Sequence, residues 1–437
     1  MPWSLQYIGR ALKLRKGESG STSFVIIPDG STDTINISVD ENPNNLQISI
    51  SPTQVTLDGT TNETINVSVT VPNDTPYRAL WIIKISFAGA EQTLYGYIGI
   101  LPVNESSNKV VLKEAEADAE GYWVGPDCIM RFGDYLYLVY RWRTPTERGH
   151  TLVIARSPVG QINFQDIKSF KDTDYGVDSF GDHSELIAKP DGSGVIWFPS
   201  ILFTAEADTG IYKKEASTPE DLDLTGLSLL FYSKDPVVLY DSDLGEYIIG
   251  YSDRDNTEHD PTIRTTPDFS SYTTKVDGLC ATKLIPSPNN NSWANYNRHL
   301  GDLHKVGSYY ILFYDASDTS TFGVAKMGIA ISTDLVNWID LTPDSPIWTG
   351  GGYGAFRYVR VYCDDTRYLL VAEVQNDDQS QDMVLYYDVY EAAPPTPAEQ
   401  MQEMVTTFIE QLIPLLINLM MLMIIMSLLT SLIERRK

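Results

Sequence analysis

The feature that most constrains this chain is a repeat. Between residues 112 and 391 a strand, a Gly/Asp turn and a Tyr-rich second strand recur five times. The copies read CIMRFGDYLYLVYRW, ELIAKPDGSGVIWFPS, PVVLYDSDLGEYIIGYS, DLHKVGSYYILFYDAS and YVRVYCDDTRYLLVAEV. Gly and Asp at the junctions suit tight hairpin reversals. The inner strands are expected to start at Asp127, Glu185, Asp235, Asp302 and about Arg357, a spacing of 50 to 67 residues. Several units continue into a third strand, as in TLVIARS and GIAISTDLVNW. One such sheet exposes both faces, and stacking the sheets radially buries them. The repeat therefore predicts a five-bladed β-propeller over 112–391, with its aromatics mainly packed between blades.

The preceding region, residues 1–105, alternates polar and apolar residues with period 2 in seven runs: TSFVII, TINISV, LQISISP, VTLDGTT, TINVSVTVP, ALWIIKISF and TLYGYIGILP. Seven short strands between Asn, Asp, Gly and Pro turns predict an antiparallel β-sandwich. The stretch SPTQVTLDGTTNETINVSVTVPNDTPYRALWIIKISF resembles the immunoglobulin-like accessory domains of cell-surface and carbohydrate-active proteins. Five N-x-[ST] sequons crowd this region, at Asn36, Asn62, Asn66, Asn73 and Asn104, and a sixth lies at Asn290. They mark candidate glycosylation sites on a solvent-facing surface, in a chain whose Asn, Ser and Thr content also generates sequons by composition.

A propeller brings the starts of its inner strands around one axis, so residues far apart in sequence meet there. The expected cluster holds Asp127, Glu185, Asp235 and Asp302 as candidate catalytic acids, with His183, Arg298, His299, His304 and Arg357 as candidate substrate-binding residues. Carboxyls held close cannot all ionise freely, and glycoside hydrolysis uses one protonated carboxyl as acid and one carboxylate as base or nucleophile. The segment Asp127 with IMRFGDYLYLVY resembles the first blade of the five-bladed arabinanase and xylosidase glycoside hydrolases and their furanosidase relatives. SKDPVVLYDSDLGEYIIGYSD is similar to their third-blade Asp-Pro motif, and GIAISTDLVNWIDLTP to their Ala-x-Ser-x-Asp-Leu-x-x-Trp segment. The resemblance implies that Asp127 is the general base and Asp235 the group that orients and tunes the acid. It departs at the fourth blade. Where that family opens with Glu-Gly-Pro, this chain has Arg298-His299-Leu300-Gly301-Asp302, leaving Asp302 or Glu185 as candidate acid. In blade five, AFRYVRVY offers Arg357 and Arg360 in place of the family's histidine setting.

Weaker signals surround these. STDLVNW is read as a structural Asp-box hairpin. DRDNTEHDP (253–261) is read as a solvated acidic loop, with Ca²⁺ held by oxygen ligands as its alternative. No cofactor is otherwise indicated, no metal ligand set is expected, and no phosphate loop or Gly-x-Ser-x-Gly elbow is present. Cys128, Cys280 and Cys363 form no CxxC pair, which removes zinc knuckles and disulfide scaffolds. Acidic residues outnumber basic ones 58 to 32, for a formal charge of -26, so no nucleic-acid partner is expected.

The ends suggest topology. AAPPTPAEQ opens a linker over 392–411, and the run LIPLLINLMMLMIIMSLLTSLI at 412–433 is apolar over 22 residues. As a helix it would be about 33 Å long, enough for a bilayer core. Basic residues at 434–437 place the C-terminus inside. The expectation is a single-pass membrane protein with its bulk exposed on a cell or virion surface, in a homo-oligomer or larger envelope assembly to which Asn418 contributes. The N-terminal stretch is not a signal peptide, an arrangement that suits a virus assembling around an internal membrane. Three functions follow: surface glycan recognition, including host attachment; a tethered glycoside hydrolase; or architectural decoration of an envelope or capsid.

Overall fold

The computed structural model describes residues 2–206, 208–252, 261–277, 293–294, 296–318, 325–349 and 355–389. Four-stranded sheets repeat through the larger part of it. The first blade runs outward through Trp123–Phe132, Tyr135–Arg143, Thr151–Pro158 and Gln165–Lys171. The second comprises Val177–Ala188, Val195–Phe203, Gly210–Ala216 and Ser228–Tyr232. The third comprises Lys234–Asp241, Glu246–Ser252, Pro261–Thr266 and Thr273–Val276. The fourth comprises Tyr296–Val306, Tyr309–Ser317, Lys326–Ser332 and Trp338–Asp340. The fifth has Phe356–Cys363, Arg367–Gln375 and Gln381–Val389, and takes its outer strand, Asn108–Lys113, from ahead of the first blade.

Each inner strand packs on the next, and the fifth packs back on the first, which closes the ring. A single parallel bridge, Trp123 to Gln381, joins the first and fifth blades. The aromatic and aliphatic side chains of the repeats fill the seams, because only there are both faces of each sheet covered. Phe170 of blade one stacks on Trp197 of blade two with ring centroids 5.5 Å apart, beside Leu186 and Ile154. Ile196 and Phe198 meet Val238 and Ile249 at the next seam. The beginning of the propeller is corrected by this topology. The strand Asn108–Lys113 begins four residues before the expected start at 112, yet it completes the last blade.

The N-terminal region forms two sheets. One orders Trp3–Leu5, Ser19–Pro28, Glu63–Thr70 and Gln47–Ser51; the other orders Gly9–Lys13, Thr93–Leu101, Trp81–Ala88, Thr34–Glu41 and Gln54–Thr56. Their faces meet through Phe24 and Phe87, with ring centroids 5.5 Å apart. Nine strands replace the seven expected, and the added strand Gly9–Lys13 pairs parallel to Thr93–Leu101, so the sandwich is not wholly antiparallel.

This sandwich is fixed against blades four and five. Tyr77 Oη donates to Asp388 at 2.7 Å, Tyr368 Oη donates to the Ala79 carbonyl at 2.9 Å, and Tyr309 Oη donates to Glu41 at 2.8 Å. A Cβ at Gly9 would lie 2.1 Å from the Asp340 carbonyl, so glycine permits the sandwich strand to lie on the outer strand of blade four.

The expected localisation is corrected. Among the described residues no helix is long and apolar enough to cross a membrane, and the structure shows no single-pass span. The helices described are the four-residue turn Asp172–Tyr175 and the 3₁₀ turn Pro219–Asp221. The apolar run 412–433, its linker and the basic tail lie outside the described residues.

The sandwich contact gives a measurable expectation. Tyr77→Phe leaves the Asp388 carboxylate without its buried hydroxyl donor and should lower unfolding free energy by about 1–3 kcal/mol in urea titration. An unchanged midpoint would show that the interface does not depend on that bond.

Candidate functional site

The axis of the propeller is filled by protein. Tyr358, 2% exposed, sits on the inner strand of blade five with a positive φ of 53°, an uncommon conformation for a bulky residue. Its ring lies 4.5 Å from that of His183 and 6.0 Å from that of His299. The guanidinium carbons of Arg357 and Arg141 lie 4.8 Å and 5.0 Å from its centroid. Residues of blades one, two, four and five thus converge on one aromatic ring.

The expected carboxylates divide according to what holds them. Asp127 is fully buried; Arg141 donates to one oxygen at 2.7 Å and Ser184 Oγ to the other at 2.9 Å. Burial pushes its carboxyl up to about 6, against the pull of Arg141, Ser184 and Arg360. Glu185 accepts from Arg360 at 2.9 Å. Burial also raises its carboxyl, with Arg360 opposing and Asp302 adding to the rise. Arg360 in turn donates to His183 Nδ1 at 2.5 Å, which places the proton of a neutral His183 on Nε2.

Asp302 is tied into the fold. Its Oδ2 accepts the Val361 N–H at 2.7 Å and lies 2.9 Å from His304 Nε2, while Oδ1 accepts its neighbour Leu303 N–H at 2.8 Å. Burial works to raise this carboxyl, but His304, Arg360 and the Val361 amide overcome it and hold it below the usual range. Glycine explains how the segment RHLGD fits. A Cβ at Gly301 would meet the Phe313 and Val359 carbonyls at 3.0 and 3.2 Å, where the inner strands of blades four and five approach closely. His299 faces Asp315 at 3.2 Å, and Arg357 donates to Glu373 and Gln381 at 2.6 to 3.0 Å. Arg298 lies on the strand Tyr296–Val306, and its side chain is outside the described residues.

Asp235 stands apart. It is fully buried on the inner strand of blade three, with φ of 55°. Neither carboxylate oxygen has a hydrogen-bond partner among the described residues, and the nearest cation, Lys234 Nζ, is 4.0 Å away.

Arg141, Ser184 and Tyr358 were not singled out by sequence. Arg141 left a signal, a charge inside the apolar strand YLYLVYRWR, and Tyr358 is an aromatic between two arginines. Of the peripheral expectations, Asp334 accepts the Val336 and Asn337 amides at 2.8 and 2.7 Å in a closed hairpin. The acidic stretch 253–260 and Asn290 lie outside the described residues, and no group able to hold a metal ion occurs among those described. Asn36, Asn62, Asn66 and Asn73 are exposed, whereas Asn104 is partly buried and donates to Glu18 at 2.8 Å.

No protein-family model and no curated protein matches the chain. Solved structures similar to it include a thermostable family-43 glycoside hydrolase, at 15% identity and TM-score 0.45 over 64% of this chain and 98% of that one. A family-43 enzyme from Xanthomonas citri complexed with xylotriose is similar at 11% identity and TM-score 0.45, over 65% and 89%. An exo-β-1,3-galactanase from Clostridium thermocellum is similar at 13% identity and TM-score 0.44, over 64% and 62%.

The raised Asp127 carboxyl carries a sign. The folded protein keeps a proton that the unfolded chain has lost, so this group's contribution to stability falls as pH rises from about 3.8 to about 6. The fall should be roughly 3 kcal/mol. In Asp127→Asn the difference in unfolding free energy from wild type should change across that interval and be flat above it. A difference independent of pH from 3 to 8 would contradict the raised value.

Proposed function

We propose that this protein recognises carbohydrate on a glycosidase-like propeller without hydrolysing it, with Asp235 as the carboxylate that accepts sugar hydroxyls. One observation carries the reading: of the four acids expected to act, only Asp235 has no hydrogen-bond partner on either oxygen among the described residues, with Lys234 Nζ 4.0 Å away. A buried carboxylate without donors is costly, and each missing charge-assisted hydrogen bond is worth about 1.5–3 kcal/mol. Two hydroxyls of a ring sugar are donors of the required kind. Hydrolysis needs a second carboxyl free to give a proton to the leaving oxygen. Asp127 is clamped by Arg141 and Ser184, Glu185 by Arg360, and Asp302 by two backbone amides and His304.

In this reading the sandwich is an immunoglobulin-like accessory module that steadies the propeller, and the exposed sequons of 1–105 lie on its outer surface. The sequence resemblance implies base and modulator roles for Asp127 and Asp235; in this reading Asp127 acts instead as a partner for Arg141.

A glycan array read beside a reducing-sugar assay tests the proposal. Wild type should retain at least one glycan and release no reducing ends. Asp235→Asn, which keeps one acceptor oxygen and loses the charge, should weaken binding about tenfold, the equivalent of roughly 1.4 kcal/mol. Release of reducing sugar by wild type, or unchanged affinity in a folded Asp235→Asn protein, would overturn it.

A further inference from the structure

The inner strand of every blade breaks register with the strand beside it. The breaks fall between Pro126 and Cys128, Phe180 and Ser184, Lys234 and Val237, Leu300 and Asp302, and Arg357 and Arg360. An irregularity of this kind re-aims a side chain out of the regular alternation of a strand. Asp127, His183, Asp235 and Tyr358 all lie within these breaks. Acids at and around them hold a guanidinium at hydrogen-bond distance: Asp127 has Arg141 at 2.7 Å, Glu185 has Arg360 at 2.9 Å and Glu373 has Arg357 at 2.6 Å. Asp235 departs from that pattern. It is 0% exposed, neither oxygen has a hydrogen-bond partner among the described residues, and Lys234 Nζ at 4.0 Å is too far to donate.

We propose that Asp235 selects sugars that carry a free amine, its carboxylate pairing with the ammonium group. The inference rests on the carbohydrate reading above and narrows it. Neutral hydroxyls give a carboxylate hydrogen bonds but leave its charge unanswered, whereas an ammonium brings three donors and the opposite charge. A buried ion is tolerated when it is both paired and hydrogen-bonded. An amino sugar would thus stand to Asp235 as Arg141 stands to Asp127. The formal charge of -26 favours the same class, because it draws cationic ligands to the surface and repels uronates and sulfated sugars. The burial of Asp235 adds a kinetic feature. Surrounding groups must part before the ammonium reaches it, so association is slow.

The test takes the full chain and an array in which the same oligosaccharides bear an amine, a hydroxyl or an acetamide at one carbon. The amine forms should be retained at least about tenfold more tightly than the hydroxyl forms, which match them in size. Raising the pH through the amine's own titration should erase that preference in wild type, because the ligand loses its charge. Asp235→Asn, checked for folding by circular dichroism, should bind amine and hydroxyl forms alike. If that variant does not fold, the pH series on wild type decides. Equal affinity for amine and hydroxyl forms would overturn the inference and leave the carbohydrate reading standing, whereas retention of no glycan would remove both. A preference that persists in folded Asp235→Asn, or at a pH where the amine is neutral, would also overturn it.

Discussion

The ring is held at its centre by one buried cation. Arg360, 1% exposed, reaches from blade five to Glu185 and His183 of blade two and lies 3.9 Å from Asp302 of blade four. Asp302 then binds the amide of Val361, one residue along from the arginine. A guanidinium taken out of water is stable only when its charge and donors are met, and loss of either acid would strand it. The carboxylates at this level are therefore committed to holding blades together. The site above inherits that commitment, since Tyr358 lies two residues before Arg360.

The aromatic plug and the second layer of ion pairs follow the same logic. Arg141 answers Asp127, and Arg357 answers Glu373, whose room is provided by Gly125: a Cβ there would lie 2.2 Å from the carboxylate. An axis lined with acids alone would be a charged channel open to water. With a cation for each of these acids, and a ring between them, it is a packed interior. Asp235 is the exception, with no hydrogen-bond partner on either oxygen among the described residues.

The propeller was legible because hairpins announce themselves locally. Turns such as Gly133-Asp134, Asp191-Gly192 and Asp364-Asp365 separate apolar runs within one stretch of chain. What depended on distant partners was not legible. Gly9–Lys13 pairs with Thr93–Leu101, and Asn108–Lys113 with Gln381–Val389, and neither pairing leaves a trace in local alternation. The acids lie on inner strands, but Asp127, Glu185 and Asp302 sit well inside strands that start at Trp123, Val177 and Tyr296 rather than at their beginnings, and their partners decided their role. Nothing about Asp302 in sequence shows that Val361 will take its oxygen, and Tyr358 looked like any other aromatic of a seam.

The route by which the circle closes has a consequence for how the protein is made. Synthesis delivers Asn108–Lys113 before any blade exists, and its partner Gln381–Val389 is among the last of the described strands to appear. Throughout translation this strand waits with its backbone unpaired by Gln381–Val389, a template for a neighbouring nascent chain. Lys109 and Lys113, one at either end of the valines, put on that waiting edge the kind of charge that discourages pairing with another chain.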